Sequence, residues 1–318
     1  MAGVVSGQGT TFDLPNYTGE LFQLTPSDTP FLSAIGGLTG GISVQSTEFE
    51  WQTYDLRNAA QNTKVEGAAA PTAEERVRAN VTNVVEIHQE TVEVTYTKSA
   101  ATGLKSGSNN ALANPVNDEL GWQVAQMLKQ IARDVEFSFL NGTFVKPVDN
   151  GTARKTRGLI EAIATNVSAQ VAGTALTDVI LLDLMQDVYD NGGIMESETA
   201  TIIVNSFQKR QLTKLFVTDA NYREMSRNLG GVNVQTIETD FGRLNIMLNR
   251  HMPADTLVVC SLEQCAPVFL EIPGKGFLFQ ESLAKVGASD KTMIYGEIGL
   301  RYGNERTHGK ITGLKTTV

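Results

Sequence analysis

Apolar and polar positions along the chain fall into a few distinct textures. Val116, Leu120, Val124, Met127, Leu128, Ile131, Val135 and Phe139 recur at three- and four-residue spacing, which lays one apolar stripe along a long helix. Asn114-Pro115 supplies its cap and first-turn proline, and Asn141-Gly142 a left-handed stop. Asp118, Glu119, Lys129, Arg133 and Glu136 read as its solvated face. From 44 to 97 the texture is alternation: Phe49 and Trp51 share one face of a strand, Glu48 and Glu50 the other. On the return strand Val85 and Ile87 have one parity and Val92, Val94 and Tyr96 the other, which predicts a bulge or bend at 88–91. The stretch between, 57–80, is polar, carries Gly67 and Pro71, and is too long for a tight turn.

Further along, Thr177 caps a helix over 178–190, with Val179, Leu182, Met185, Gln186 and Tyr189 among its repeating positions and Asn191-Gly192-Gly193 at its end. Residues 201–204 read as a buried strand, and Ser206 as the cap of a helix carrying Phe207, Leu212, Leu215 and Phe216. Strands are predicted at 232–237, 244–248, 256–259, 268–272, 277–280, 298–302 and 308–314, a strand or turn at 156–160 and a polar connector at 166–175. Residues 176–265 thus form an α/β unit inserted between the long helix and the last strands. Residues 1–43 are Gly-rich around a patterned piece with Pro15, Pro26 and Pro30. Such a segment cannot bury itself, and Phe12, Tyr17, Leu21, Phe22 and Phe31 predict that it docks, on its own body or on a neighbouring subunit.

Composition narrows the function. A chain of 318 residues is long enough for about two domains, and 41% hydrophobic with 19% charged residues excludes wholesale disorder. A net charge of −9 argues against a dedicated nucleic-acid binder, although a local basic patch stays open. Three His and two Cys are a thin supply for metal or nucleophile chemistry, and no phosphate-loop, dinucleotide, zinc-protease or nucleophile-elbow motif occurs. Gly274-Lys275-Gly276 precedes a strand pattern rather than a helix, which is wrong for a phosphate cradle. Cys260 and Cys265 are expected to be free thiols. No catalytic residue, cofactor or metal is expected, and an enzyme is not. The first ten residues lack a signal-peptide pattern, and the longest aliphatic runs fall far short of the ~18 residues of a membrane span, so a soluble cytosolic chain is expected.

The 57–80 stretch is too polar to offset its own ordering entropy, so order there must come from another copy. Trp51, Lys64, Glu66, Glu74, Glu75, Arg76 and Arg78 are the expected inter-subunit contacts.

Three groups of short motifs, in order, carry a family resemblance. They are Thr25-Pro26-Ser27-Asp28-Thr29-Pro30-Phe31-Leu32; Asp134-Val135-Glu136 with Phe139-Leu140-Asn141-Gly142; and Tyr295-Gly296-Glu297-Ile298-Gly299-Leu300 with Asn304-Glu305 and His308-Gly309-Lys310-Ile311. Together they resemble the major capsid proteins of tailed bacteriophages, in the group of the SU-ten-type head proteins. The resemblance implies an α+β fold of the Hong Kong 97 type: an N-terminal arm at 1–43, an extended β-hairpin loop at 44–98, a peripheral domain at 99–175 with a spine helix at 115–141, an axial domain at 176–265 and peripheral strands at 266–318. It implies hexamers and pentamers closing an icosahedral head shell around double-stranded DNA, held non-specifically, in a virion assembled in the bacterial cytoplasm. Portal, decoration and scaffold proteins are implied partners, the scaffold as a separate chain because this sequence starts almost directly with the arm. Some relatives crosslink a loop Lys to an Asn with a Glu assisting; Lys64, Asn304 and Glu305 do not align with that pattern, and no crosslink is expected. An encapsulin-like compartment shell is the alternative within the fold, and an α/β enzyme the alternative outside it.

Overall fold

The computed structural model describes residues 23–101, 116, 118–193, 200–218 and 236–317, with the backbone alone at 216–218. The expectations placed on Phe12, Tyr17, Leu21 and Phe22, on the Asn114-Pro115 cap, on residues 232–235 and on the side chain of Phe216 lie outside the described residues. In chain order the elements are α1 (Pro30–Ala34), β1 (Ile42–Val44), β2 (Glu48–Tyr54), β3 (Arg78–Val84), β4 (Glu86–Thr95), α2 (Tyr96–Ala100), α3 (Glu119–Asn141), α4 (Leu159–Ala162) and β5 (Val167–Thr174). Then come α5 (Asp178–Asp190), β6 (Ala200–Val204), α6 (Ser206–Thr218), β7 (Thr236–Thr239), β8 (Gly242–Leu248), β9 (Leu257–Ser261), β10 (Ala266–Leu270), β11 (Leu278–Ser282), β12 (Ser289–Arg301) and β13 (Gly309–Leu314). Helix and sheet are mixed, an α+β chain. No helix among the described residues is long and apolar enough to cross a membrane.

Two compact units form. The larger comprises 29–88, 132–278 and 296–318; the smaller comprises 1–28, 89–131 and 279–295. The larger holds a six-stranded sheet in the order β5-β13-β9-β6-β8-β7. β6 and β8 run parallel, and α6 is part of the crossover that parallel neighbours need. Leu181, Leu184, Met185 and Val188 of α5 and Leu212 of α6 pack with Ile202, Val204, Leu257, Val259 and Ile311 of the sheet into one core. Thr177 caps α5 by accepting from the Ile180 amide at 3.3 Å. In the second sheet of this unit β1 pairs parallel with β10, and β10 antiparallel with residues 298–301 of β12. Within the smaller unit, the Tyr96 amide donates to the Ala288 carbonyl at 3.2 Å and the Leu283 amide to the Lys291 carbonyl at 2.9 Å. Thr95 caps α2 by accepting from the Lys98 amide.

Several local expectations are corrected. The 166–175 connector is strand β5, parallel to β13. α6 is capped by Asn205, whose Oδ1 accepts from the Gln208 amide at 3.0 Å, rather than by Ser206. The pleat breaks at Val85, between β3 and β4, and not at 88–91. The inward positions of β4 include Glu86 and His88, and Ile87 is 48% exposed; the slip lies earlier because a polar pair holds the positions that the apolar reading gave to Val85 and Ile87. Leu128, assigned to the apolar stripe of α3, is exposed, whereas Glu136, assigned to the solvated face, is buried. Gly142 ends α3 without a left-handed turn, since it is absent from the positive-φ glycines. It is needed for space instead: a Cβ there would overlap the Ser138 carbonyl and stand 2.6 Å from the Thr156 carbonyl. A Cβ on Gly158 would stand 2.5 Å from the Gly142 nitrogen, and the Gly158 amide donates to the Gly142 carbonyl at 2.9 Å. Two bare backbones cross there.

Candidate functional site

The feature that stands apart is the β2–β3 hairpin, paired from Glu48↔Val84 to Tyr54↔Arg78. Its base is firmly held within the larger unit. Phe49 is buried with Val85 and Val268, and Trp51 packs against that cluster. The Trp51 ring lies edge-on to Tyr302 at 4.9 Å between centroids, and its Nε1–H donates to the Gly303 carbonyl at 2.7 Å. Trp51, expected at a subunit contact, is thus engaged by its own chain. Opposite Phe49 sits Asn83, wholly buried. Its Nδ2 donates to the Leu300 carbonyl at 2.7 Å and the Arg157 carbonyl at 3.3 Å, and its Oδ1 accepts from the amides of Val84 (2.9 Å) and Arg157 (2.8 Å). One side chain therefore ties the root of the hairpin to two other segments with its hydrogen-bonding capacity fully used.

Next to this root lies the buried pair of β4. His88 Nε2 stands 2.9 Å from Glu86 Oε1, and Glu86 Oε2 accepts from the Thr156 amide at 3.1 Å. Burial pushes the Glu86 carboxyl up, but the His88 ring, the Ser138 hydroxyl and the Thr156 amide together outweigh it and hold the group below the usual carboxylate range.

Beyond the paired strands, every residue from 55 to 77 is exposed. Lys64, Glu66 and Glu75 stand in this tip, and Arg76 pairs with Glu74 at 2.9 Å, with Arg57 at 3.9 Å from the same carboxylate. Arg78 reaches across the hairpin to Gln52 at 3.2 Å. Exposed pairs of this kind contribute about 0–1 kcal/mol each, so they do not fix the tip. At the tip's edge Asp55 meets Arg306 at 3.0 Å, and at the root Glu48 meets Lys146 at 2.6 Å.

A second anchorage went unnoticed in the sequence. Glu136 of α3 turns its carboxylate onto the start of α1, accepting from the amides of Phe31 (2.9 Å) and Leu32 (2.6 Å) and from Nδ2 of Asn249. A carboxylate on the free amides of a helix start is favourable in both hydrogen bonding and dipole. It fixes the point where the chain leaves 23–29 and enters the larger unit. The sequence carries little signal for it, because Glu136 falls among the charged residues that the spacing assigns to the solvated face.

Asn304 and Glu305 are both engaged locally. Asn304 accepts from the Arg306 amide at 3.2 Å, while Glu305 accepts from the amides of Ala164 and Thr165, both at 3.1 Å, and from the Thr165 hydroxyl. Burial raises the Glu305 carboxyl, but these donors and Arg306 bring it below its ordinary value. Cys260 and Cys265 are free and buried, and burial pushes both thiols up, Cys265 to about 12. No group of three His, Cys, Asp or Glu suited to a metal occurs among the described residues.

Comparison with known proteins gives the family and the fold. The family model described as SU10 major capsid protein matches residues 4–315. A protein named major capsid protein, from Escherichia phage Phieco32, is 24% identical over 339 residues, covering 90% of each chain. Among solved structures, the capsid asymmetric unit of cyanophage A-1(L) superposes with a TM-score of 0.69 at 11% identity, covering 98% of this chain and 100% of that one. The holo-SrpI encapsulin complex from Synechococcus elongatus superposes with a TM-score of 0.59 at 11% identity, covering 96% of this chain and 94% of that one.

Proposed function

This chain belongs to the SU10 major capsid protein family, and from that premise we propose how its parts share the work of a phage head. It is a structural subunit of the virion capsid and self-assembles into a shell. The encapsulin likeness reflects the common fold, and the family match favours the phage head. Residues 1–43 act as an arm, 44–98 as the extended loop, 115–141 as the spine, 176–265 as the axial domain, and 99–175 with 266–318 as the peripheral domain. Copies join in hexamers and pentamers to close an icosahedral shell around double-stranded DNA, with portal, decoration and separate scaffold proteins as partners and the bacterial cytoplasm as the place of assembly. A chain with net charge −9 meets the packaged DNA without sequence preference.

One observation carries the mechanical reading: a hairpin rooted by Asn83 and Trp51 ends in a tip, 55–77, that is exposed throughout. A firm root with an unsupported end suits an element that is completed by a neighbouring copy, with Lys64, Glu66, Glu74, Glu75, Arg76 and Arg78 in contact there. Many moderate contacts repeated around a closed shell add up to a strong particle. Limited trypsin digestion tests this. Arg57, Lys64, Arg76 and Arg78 should be cut in free subunits and protected in closed shells; equal rates in both states would refute it.

A further inference from the structure

Two helices of the larger unit carry charge of opposite sign, each unmixed. α5 holds Asp178, Asp183, Asp187 and Asp190 and no Lys or Arg; α6 holds Lys209, Arg210 and Lys214 and no Asp or Glu. Both bury their apolar side in the same core, through Leu181, Leu184, Met185 and Val188 in one case and Leu212 in the other. Their charged sides are therefore held outward. Asp183, Asp187 and Asp190 follow one another at four- and three-residue steps and form one exposed row. Val179, 59% exposed, lies on the same row. On α6, Arg210 and Lys214 are both exposed, four residues apart. None of these five charges is paired with another described residue.

Like charges at this spacing repel and weaken the helix that carries them. Each row is thus complete only against an opposite row, and each copy of the chain holds both rows. We propose that the acidic row of α5 in one copy docks on Arg210 and Lys214 of α6 in a neighbouring copy of this chain. The proposal rests on the capsid reading and adds to it which side chains choose the neighbour. A copy whose α5 is engaged still offers its α6 to the next copy, so the contact repeats head to tail and closes into a ring. Charges at the rim of such a contact act on encounter and register more than on bulk affinity, and they weaken as salt rises. The same rows reject a wrong approach, since α5 against α5 or α6 against α6 sets like charges face to face.

Charge reversal in the full chain tests this. One variant is D183K/D187K and the other R210E/K214E, each followed by sedimentation velocity and electron microscopy at physiological salt. All four positions are exposed, so melting temperatures should match the unaltered chain. Each variant alone should need roughly tenfold or more higher concentration to form capsomers, because attraction has become repulsion at every contact. Mixed in equal amounts, they should recover, since the lysines of one chain meet the glutamates of the other. The recovered rings should be even-numbered, with variants alternating. Should a reversed chain fold poorly, the neutral D183N/D187N and R210Q/K214Q replace it, with an expected rise of about threefold each. Variants that assemble like the unaltered chain, or a mixture that assembles no better than either variant alone, would overturn the proposal while leaving the capsid reading intact. An unaltered chain that stays monomeric in the same assay would overturn the capsid reading and this proposal with it.

Discussion

Replacing Glu136 should release the start of α1 and with it the exit of the arm. The carboxylate is buried, and the donors it accepts from include the Phe31 and Leu32 amides and the Asn249 carboxamide. Hydrogen bonds to a charged group contribute about 1.5–3 kcal/mol each, and a buried donor left without a partner costs about 1–3 kcal/mol. Three such losses total several kcal/mol in Glu136→Ala, and water entering the vacated space offsets part of them, leaving about 3–5 kcal/mol. That is a large share of the 5–15 kcal/mol typical of a folded protein. Glu136→Gln keeps the shape but turns an amide donor toward one of the three donors, so it should cost less, about 1–3 kcal/mol. Hydrogen exchange reads the effect where it occurs. Amides of Phe31 and Leu32 should exchange at least about a hundredfold faster in the Ala variant, and by an intermediate factor in the Gln variant. Exchange in the Ala variant within about threefold of the unaltered chain, or a Gln variant worse than Ala, would show that the carboxylate is not what holds α1.

Acid should destabilise the folded chain in two stages. His308 is buried and neutral, its Nδ1 accepting from the Ser261 amide and its Nε2 donating to the Tyr302 carbonyl, and burial lowers its pKa. The unfolded chain therefore takes up that proton first, and stability falls as pH drops below about 6.5 toward the folded value. Glu86 and Glu305, both held below their ordinary value, contribute stability above about pH 4.5 that is lost as pH falls through their folded pKa; a urea midpoint that rises as pH falls from 7 to 5 would contradict the first stage, and one that rises as pH falls below 4.5 the second. Gly158→Ala should cost about 1–3 kcal/mol from the forced overlap with Gly142, measured by urea unfolding. Cys260 and Cys265, buried with raised pKa values, should stay unlabelled by a thiol reagent at pH 8 until denaturant is added. Boiled particles should run as one band near 34.4 kDa, because Asn304 and Glu305 are taken up by local hydrogen bonds; a ladder that survives reductant would count against this.

What could be read from the sequence follows from which interactions leave a periodic trace. α5 was legible because its core contacts recur along one face and Thr177 stands at its start. β5 was not, because its half-buried positions are the polar Ser168, Gln170 and Thr174 while Val167 and Val171 are exposed, so its polarity runs against its burial. The slip at Val85 was misplaced because Glu86 and His88 fill inward positions as a close polar pair, which a reading of apolar parity passes over. The hairpin tip was visible through composition alone. Its root at Asn83 and the separate anchorage of α1 at Glu136 were not: both residues matter for the geometry of their partners, which lie 217 residues on in one case and 105 residues back in the other.

The position of β13 bears on when the subunit becomes ready. In the six-stranded sheet β13 lies between β5 and β9, so until it has been made β5 lacks its sheet neighbour and β9 is paired on the β6 side alone. At about 5–20 residues per second, synthesis holds the growing chain without this strand for several seconds after β9 has been made. During that time Ile311 and Leu314 are missing from the core that α5 and α6 cover, so those helices lack their final seat. Chains still on neighbouring ribosomes of one message therefore cannot yet present a finished surface to one another. The strand order thus predicts that recognition between copies waits until β13 of each has been made, which would keep crowding on the polysome from seeding premature shells.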